Sequence, residues 1–407
     1  MSVGVEEAPI PESVPKSQTV LLLHSAKDPY HVTKDYLVPS EYNDSEILVK
    51  THTIGLNPID WKAPDFNFGL PELPYIAGRE LVGQVVRVAN DHSRLHIGDL
   101  QVIVVSSDYR DLRKAAYQEY VIASDFNVAK LPPQISVTNG AAIGVAFVAA
   151  ALSLGVCLGA DFSDVVGGPN LFKLVREHDP ELLPKDVRSE CLGGISENDR
   201  AKEGDWVAVW GGSATSANLI VQLARLVGLQ VITVVDKAKH GLRLSNHTAL
   251  RPDLLVDSYD PERAIEIIRA NTKGKLRFGI DTRGRDTATH LLHALMPEPQ
   301  LVNGHATSAS HDDAKQPKVS AHLVGLTGLP KEAPPAGVTF HTVPIKIFHD
   351  VPAVGETLVL WLERLLEQGL ILPPEVLDVE EGFEGVNRGL DRMRKGEISG
   401  GRLVVKI

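Results

Sequence analysis

Between Gln18 and about Val145 the apolar residues come in short β-branched runs. TVLLLHS, EILVKTHTIGL, ELVGQVVRVA, LQVIVVS and QEYVIAS are separated by Gly, Pro, Asn and Asp. This spacing predicts the short strands of a small, highly curved β-domain. The Gly98-Asp99 pair suits a tight reversal between two of them. At about Asn139 the pattern changes to NGAAIGVAFVAAALSLGVCLG, almost wholly apolar. It reads as a buried helix from Asn139 to Leu158, too short for a membrane span. The polar stretch Asp161 to Glu203, with a helix at LFKLVREHD, reads as a surface insertion.

From Trp206 the order becomes strand, helix, strand, helix. The strands are DWVAVWGG, LQVITVVD, DLLVDSY, LRFGIDTRG and QLVNGH; the helices are NLIVQLARLVG, PERAIEIIRANT and ATHLLHALM. Such alternation predicts a parallel, doubly wound α/β sheet. A helix, VGETLVLWLERLLEQG, and a closing helix and strand follow, and the last strand is expected to return to the first domain. The expected organisation is a disordered leader at 1–17 and a β-rich domain at 18–142. A dinucleotide-type domain follows at 143–346 with the insertion near 161–203, and the return at 347–407.

Composition narrows the function classes. Of 407 residues 43% are hydrophobic and 23% charged, which excludes disorder and coiled coil and points to a soluble globular chain. The net charge is -11 and no Lys/Arg run forms a basic face, so nucleic acid is not an expected partner. The N-terminal MSVGVEEAPIPESVPKSQ is acidic and Pro-rich with no apolar core, unlike a secretory signal. Cys157 and Cys191, the two cysteines, read as reduced thiols of a cytoplasmic protein, with a single disulfide between them as the alternative, and cannot build a four-thiolate zinc site.

The strongest local signal is VAVWGGSATSANLIVQLARLVGLQVITVVD: a buried strand, a small-residue turn, a helix, a second strand and an acid. Small residues at the turn let backbone amides approach a pyrophosphate, and the helix N-terminus favours its charge. Gly211 and Gly212 are present, whereas Ala214 and Ala217 stand where later glycines are usual; Ser213, Thr215 and Ser216 offer hydroxyls instead. Asp236 lies close to the ~20-residue spacing expected of the acid that accepts a ribose hydroxyl, which favours NADH. Lys237, Lys239, His240 and Arg243 follow at once, which suits the 2′-phosphate of NADPH.

These pieces, in this order, resemble the medium-chain dehydrogenase/reductase superfamily from Thr19 to Ile407. The markers are Gly55-Leu56-Asn57-Pro58-Ile59-Asp60-Trp61-Lys62, Pro74-Tyr75-Ile76-Ala77-Gly78-Arg79-Glu80, Gly83 before a valine pair, Gly98-Asp99, Tyr117-Gln118-Glu119-Tyr120, the glycine turn and Ser399-Gly400-Gly401-Arg402. The resemblance implies a Rossmann sheet inserted in a GroES-like β-rich catalytic domain. Zinc-dependent members carry a cysteine where this chain has Asn57-Pro58, and Gly-His-Glu where it has Gly78-Arg79-Glu80, so no zinc is expected. Asn-Pro-x-Asp-Trp-Lys with Gly-Gly-Ser-x-Thr looks most like the trans-acting enoyl reductases of fungal polyketide pathways. That likeness implies NADPH, with NADH as the alternative, and cofactor contacts at Pro58 to Trp61, Ser213 to Ser216, Asp236 to Lys239, Tyr259, Asp281, Thr282, Ile398 and Ser399. Ala217, Asp236 and the long insertion depart from the pattern.

Reduction of an alkene conjugated to a carbonyl needs a cation or donor near the developing oxyanion and a proton for the α-carbon, without a metal. Lys62 is the first candidate, in a loop, with Asp60 orienting it or the nicotinamide ribose. Tyr75 and Tyr117 are alternative donors, and Arg79 reads as a structural partner of Glu80. Val145, Phe147 and Val148 are expected to line the cleft for a hydrophobic substrate, free or presented by an acyl carrier domain. The chain reads as a monomer or homodimer. Quinone reduction is the rival activity, and dinucleotide binding without turnover a rival of another class.

Overall fold

In the computed structural model residues 14–89, 93–98, 101–106, 110–296, 301–302, 305–306 and 320–407 are described. The leader over 1–13 and Asp99 therefore lie outside the described residues. The chain divides into two units, 1–145 with 373–407, and 146–372.

In the first unit each expected β-branched run is a strand: Ser17–Leu23, Glu46–Gly55, Glu80–Val88, Val102–Val105 and Tyr120–Ser124. Glu46–Gly55 is the hub, paired antiparallel with Glu80–Val88, with Tyr120–Ser124 and with the closing strand Arg402–Lys406. The closing strand thus lies in the first unit's sheet, as its position after the last helix suggests. Its other neighbour, Val376–Glu381, runs parallel to it. Sequence pattern misses that strand and His31–Leu37, because both are polar edge strands with no buried apolar face to reveal them. Leu21, Val49, Ile54, Leu81, Tyr117, Leu390 and Val405 share one apolar core.

The second unit holds six parallel strands in chain order 3-2-1-4-5-6, from Leu254–Asp257 at one edge to Val338–Thr342 at the other. The expected strand QLVNGH is corrected: among the described residues Leu301–Val302 pairs with His305–Ala306, antiparallel, and not with the parallel sheet. The fifth strand is Ala321–Gly325, buried throughout, as a central parallel strand requires.

Three further expectations change. The segment 161–203 is no polar surface appendage, since Phe162, Leu171, Val175 and Cys191 are fully buried. Phe162 packs on Trp361 at 4.6 Å between ring centres, and Trp361 Nε1 donates to the Val165 carbonyl at 3.0 Å. Those contacts hold the helix Pro352–Glu367 in the second unit, so the return comes at Pro373 rather than at 347. The apolar segment is helical from Val137 to Cys157 apart from a turn, and ends in a π-turn at Ser153–Cys157. Its 21 residues, with mean hydropathy 2.2, are long and apolar enough to cross a membrane, contrary to the length argument, yet 89% of its apolar window is buried in protein.

Candidate active site

The site residues fall into two groups, one in each unit. In the first unit, Lys62 and its neighbours stand not in a loop but on the helix Pro58–Phe66, which Pro58 opens and Asn57 precedes. Asp60, one turn in, reaches back so that its Oδ2 accepts from the Asn57 backbone N–H at 2.8 Å. The Asn57 side chain is held elsewhere: its Nδ2 donates to Glu80 Oε1 at 3.0 Å and its Oδ1 accepts from Arg402 Nη1 at 2.9 Å. Arg402 Nη2 pairs with Glu80 Oε1 at 3.1 Å, and both side chains are buried. Glu80 Oε2 accepts the backbone N–H of Val145 at 2.9 Å. Glu80 therefore pairs with Arg402, where the sequence suggested Arg79.

Asp60 is buried and its carboxylate faces inward, where Tyr117 donates to Oδ2 at 2.9 Å. It does not orient Lys62. Burial pushes the Asp60 carboxyl up to about 6, against the opposing pull of the Arg79 charge, the Asn57 N–H and Tyr117. Tyr30, which sequence reading missed, donates to the Asp60 carbonyl at 2.7 Å and meets Tyr117 edge-on at 5.4 Å. Burial drives the Tyr75 and Tyr117 phenols above their usual value, and Tyr117 is wholly committed to Asp60, so neither is well placed as an acid. The Lys62 ammonium lies 5.7 Å from the Trp61 ring centre, and the Arg394 guanidinium lies 6.0 Å from it. Ile398 packs on this unit's core, with Ser399 half-buried beside it.

In the second unit, Gly211 takes φ +82° and Gly212 is buried. A Cβ on Gly212 would stand 2.0 Å from Thr233 Cγ2, so no side chain fits. The helix Thr215–Leu226 begins after Ala214 with no side-chain cap, and Ser213, Thr215 and Ser216 are partly exposed around its first turn. Its first N–H groups are thus left for a ligand. Asp281 and Thr282, expected as cofactor contacts, build the turn instead. Thr282 Oγ1 donates to the Gly211 carbonyl at 2.9 Å, and buried Asp281 accepts from the Arg283 and Gly284 N–H groups at 2.9 and 2.7 Å. The Arg283 side chain lies against Gly211, a cation that the sequence reading passed over.

At the adenosine end, Asp236 caps the helix Lys237–Asn246, accepting from the Lys239 N–H at 3.0 Å. Asp257 accepts from the N–H groups of Lys237 at 3.2 Å and Tyr259 at 3.3 Å, and so shapes this corner. Its only sequence signal was an acid at a strand end. Lys237, Lys239 and Tyr259 are exposed. Phe147 and Val148, expected in a substrate wall, are buried; Phe147 packs on Trp361 at 5.6 Å. Val145 is half-buried.

The alcohol dehydrogenase GroES-like domain model matches residues 43–133. The trans-enoyl reductase mycC of Thermothelomyces thermophilus is 26% identical over 98% of this chain and 99% of its own. The trans-enoyl reductase FSL5 of Gibberella zeae is 27% identical over 92% and 93%. Among solved structures, Escherichia coli quinone oxidoreductase complexed with NADPH superposes with a TM-score of 0.66 at 16% identity, covering 96% of this chain and all of that one. CurK enoyl reductase gives 0.65 at 15%, covering 96% and 99%. With the strand order and the glycine turn already in place, the chain resembles medium-chain dehydrogenase/reductases over nearly its whole length.

Proposed function

We propose that this chain is an NADPH-dependent, metal-free reductase of activated C=C bonds, acting on a hydrophobic enoyl or enone substrate. The observation that carries the reading is the uncapped helix after a positive-φ glycine turn, on a sheet of order 3-2-1-4-5-6. Near full-length likeness to fungal trans-enoyl reductases supports the C=C chemistry; presentation of the substrate by an acyl carrier domain is part of the proposal.

Gly211, Gly212 and the first turn of the helix hold the pyrophosphate, with Arg283 beside them. Lys237 and Lys239 hold the 2′-phosphate: their side chains are exposed and form no ion pair among the described residues, while Asp236 is drawn to its capping role. Reduced nicotinamide supplies the hydride. Lys62 stabilises the charge that gathers on the substrate carbonyl oxygen, and the α-carbon takes its proton from Lys62 or solvent. Zinc does not suit the first unit's donor set. Asn57 is engaged by Glu80 and Arg402, and Glu80 already has a guanidinium where a metal cation would need to lie.

The test is steady-state NADPH oxidation against a panel of enones, enoyl thioesters and quinones, with dissociation constants for NADPH and NADH. Enoyl turnover with tighter NADPH binding is expected. Turnover of quinones alone would replace the reading with quinone reduction, and tight cofactor binding without turnover would make the chain a dinucleotide-binding protein. Lys237→Ala with Lys239→Ala weakens NADPH and not NADH.

A further inference from the structure

A second polar cluster lies within the second unit, apart from the groups assigned to catalysis. It draws on three segments far apart in sequence: Cys157 at the end of the π-turn Ser153–Cys157, Glu190 on the inserted helix Arg188–Gly193, and His341 on the edge strand Val338–Thr342. One ligand atom from each residue lies within 4.8 Å of the other two. Cys157 and His341 are fully buried, and the Glu190 side chain is 14% exposed.

Glu190 Oε1 stands 2.7 Å from His341 Nδ1, and no lysine or arginine among the described residues forms an ion pair with Glu190. The Glu190 carboxylate is the one acid of the cluster, and Arg176 is a cation near enough to act on it through space; with thiol and imidazole both neutral the three ligands together carry one negative charge. A divalent cation bound by thiolate, carboxylate and neutral imidazole would bring the total to zero, the thiol proton leaving to solvent. The outer contact is of the kind a ligating histidine requires: His341 Nε2 lies 2.9 Å from Nδ1 of buried His322, which fixes the ring and its tautomer.

We propose that Cys157, Glu190 and His341 bind a zinc-class divalent cation, oriented by His322, which pins the inserted segment 161–203 to the edge of the parallel sheet. Sulfur, nitrogen and oxygen donors in this number suit zinc, with water completing a tetrahedron. The role is structural. The site is independent of the metal-free chemistry assigned to Lys62.

The experiment uses the full chain, stripped with chelator and titrated with Co2+ and then Zn2+. Expected are a thiolate-to-cobalt charge-transfer band that saturates at about one equivalent, displacement of that band by Zn2+, and a higher Tm with metal than without. Cys157→Ser abolishes the band, and His322→Ala weakens Zn2+ binding by about 10–100-fold. A wild-type chain that develops no thiolate band, or whose Tm is indifferent to Zn2+, overturns the proposal and leaves a hydrogen-bonded cluster. Both readouts are taken on wild-type protein, so they stand even where a variant fails to fold. Neither depends on reductase turnover, so loss of one reading leaves the other in place.

Discussion

The group around Lys62 and the turn around Gly211 are held in shape by opposite means. Around Lys62 the helix start is gripped by buried charged and polar side chains drawn from across the chain, with Arg402 reaching Asn57 over 345 positions of sequence. Around Gly211 the shape comes from local backbone, from a positive φ and from the absence of side chains. Thr282 and Asp281, at the end of the adjacent strand, brace it. Buried charge makes a rigid site that depends on every partner. A small-residue turn makes one that depends on volume.

The sharpest test of that contrast is Arg402→Met. It leaves the Glu80 carboxylate buried without its cation, a loss of about 3–5 kcal/mol in unfolding free energy by urea titration. A loss under 1 kcal/mol would show that the pair is not what holds the helix start. Lys62→Met follows, with turnover down on the order of 100-fold and NADPH affinity unchanged. Equal weakening of both would make Lys62 a binding residue. Gly212→Ala comes third, costing about 1–3 kcal/mol by overpacking against Thr233 and weakening NADPH. Thr233→Ser in the same chain removes the opposing methyl and restores much of the loss. Failure to restore would mean that the turn depends on more than volume.

The smallest effect is a pH dependence. Asp60 holds its proton more tightly in the folded chain, about 6 against an ordinary 3.8, so the native state binds the extra proton between those values. Stability should therefore fall as pH rises from about 4 to 6. Asp60→Asn, which keeps an acceptor for Tyr117 and Asn57, flattens that slope in urea titrations across the window. A slope unchanged in the variant would place the titration elsewhere.

Legibility in the sequence followed the same divide. Strand Trp206–Trp210, the glycine turn, helix Thr215–Leu226 and Asp236 were readable because their signals are periodicity, small residues and spacing within about thirty positions. The partner of Glu80, the inward turn of Asp60 and the presence of Tyr30 were not. Each is a choice among several chemically equivalent groups, and pairing at long range leaves no pattern in the chain. Phe147 and Val148 were ambiguous for a related reason, since an apolar residue facing a cleft and one facing a core look alike in sequence.

Hydrophobic period, turn residues and motif order were enough to determine the two kinds of domain and the glycine turn. These are properties of neighbouring residues, set by backbone sterics and local burial. Tertiary structure alone decided that Arg402 neutralises Glu80, that Asp60 serves the core rather than Lys62, and that Cys157, Glu190 and His341 converge. A buried charge is stable only beside its counterpart, and which counterpart arrives is settled when distant strands and helices pack.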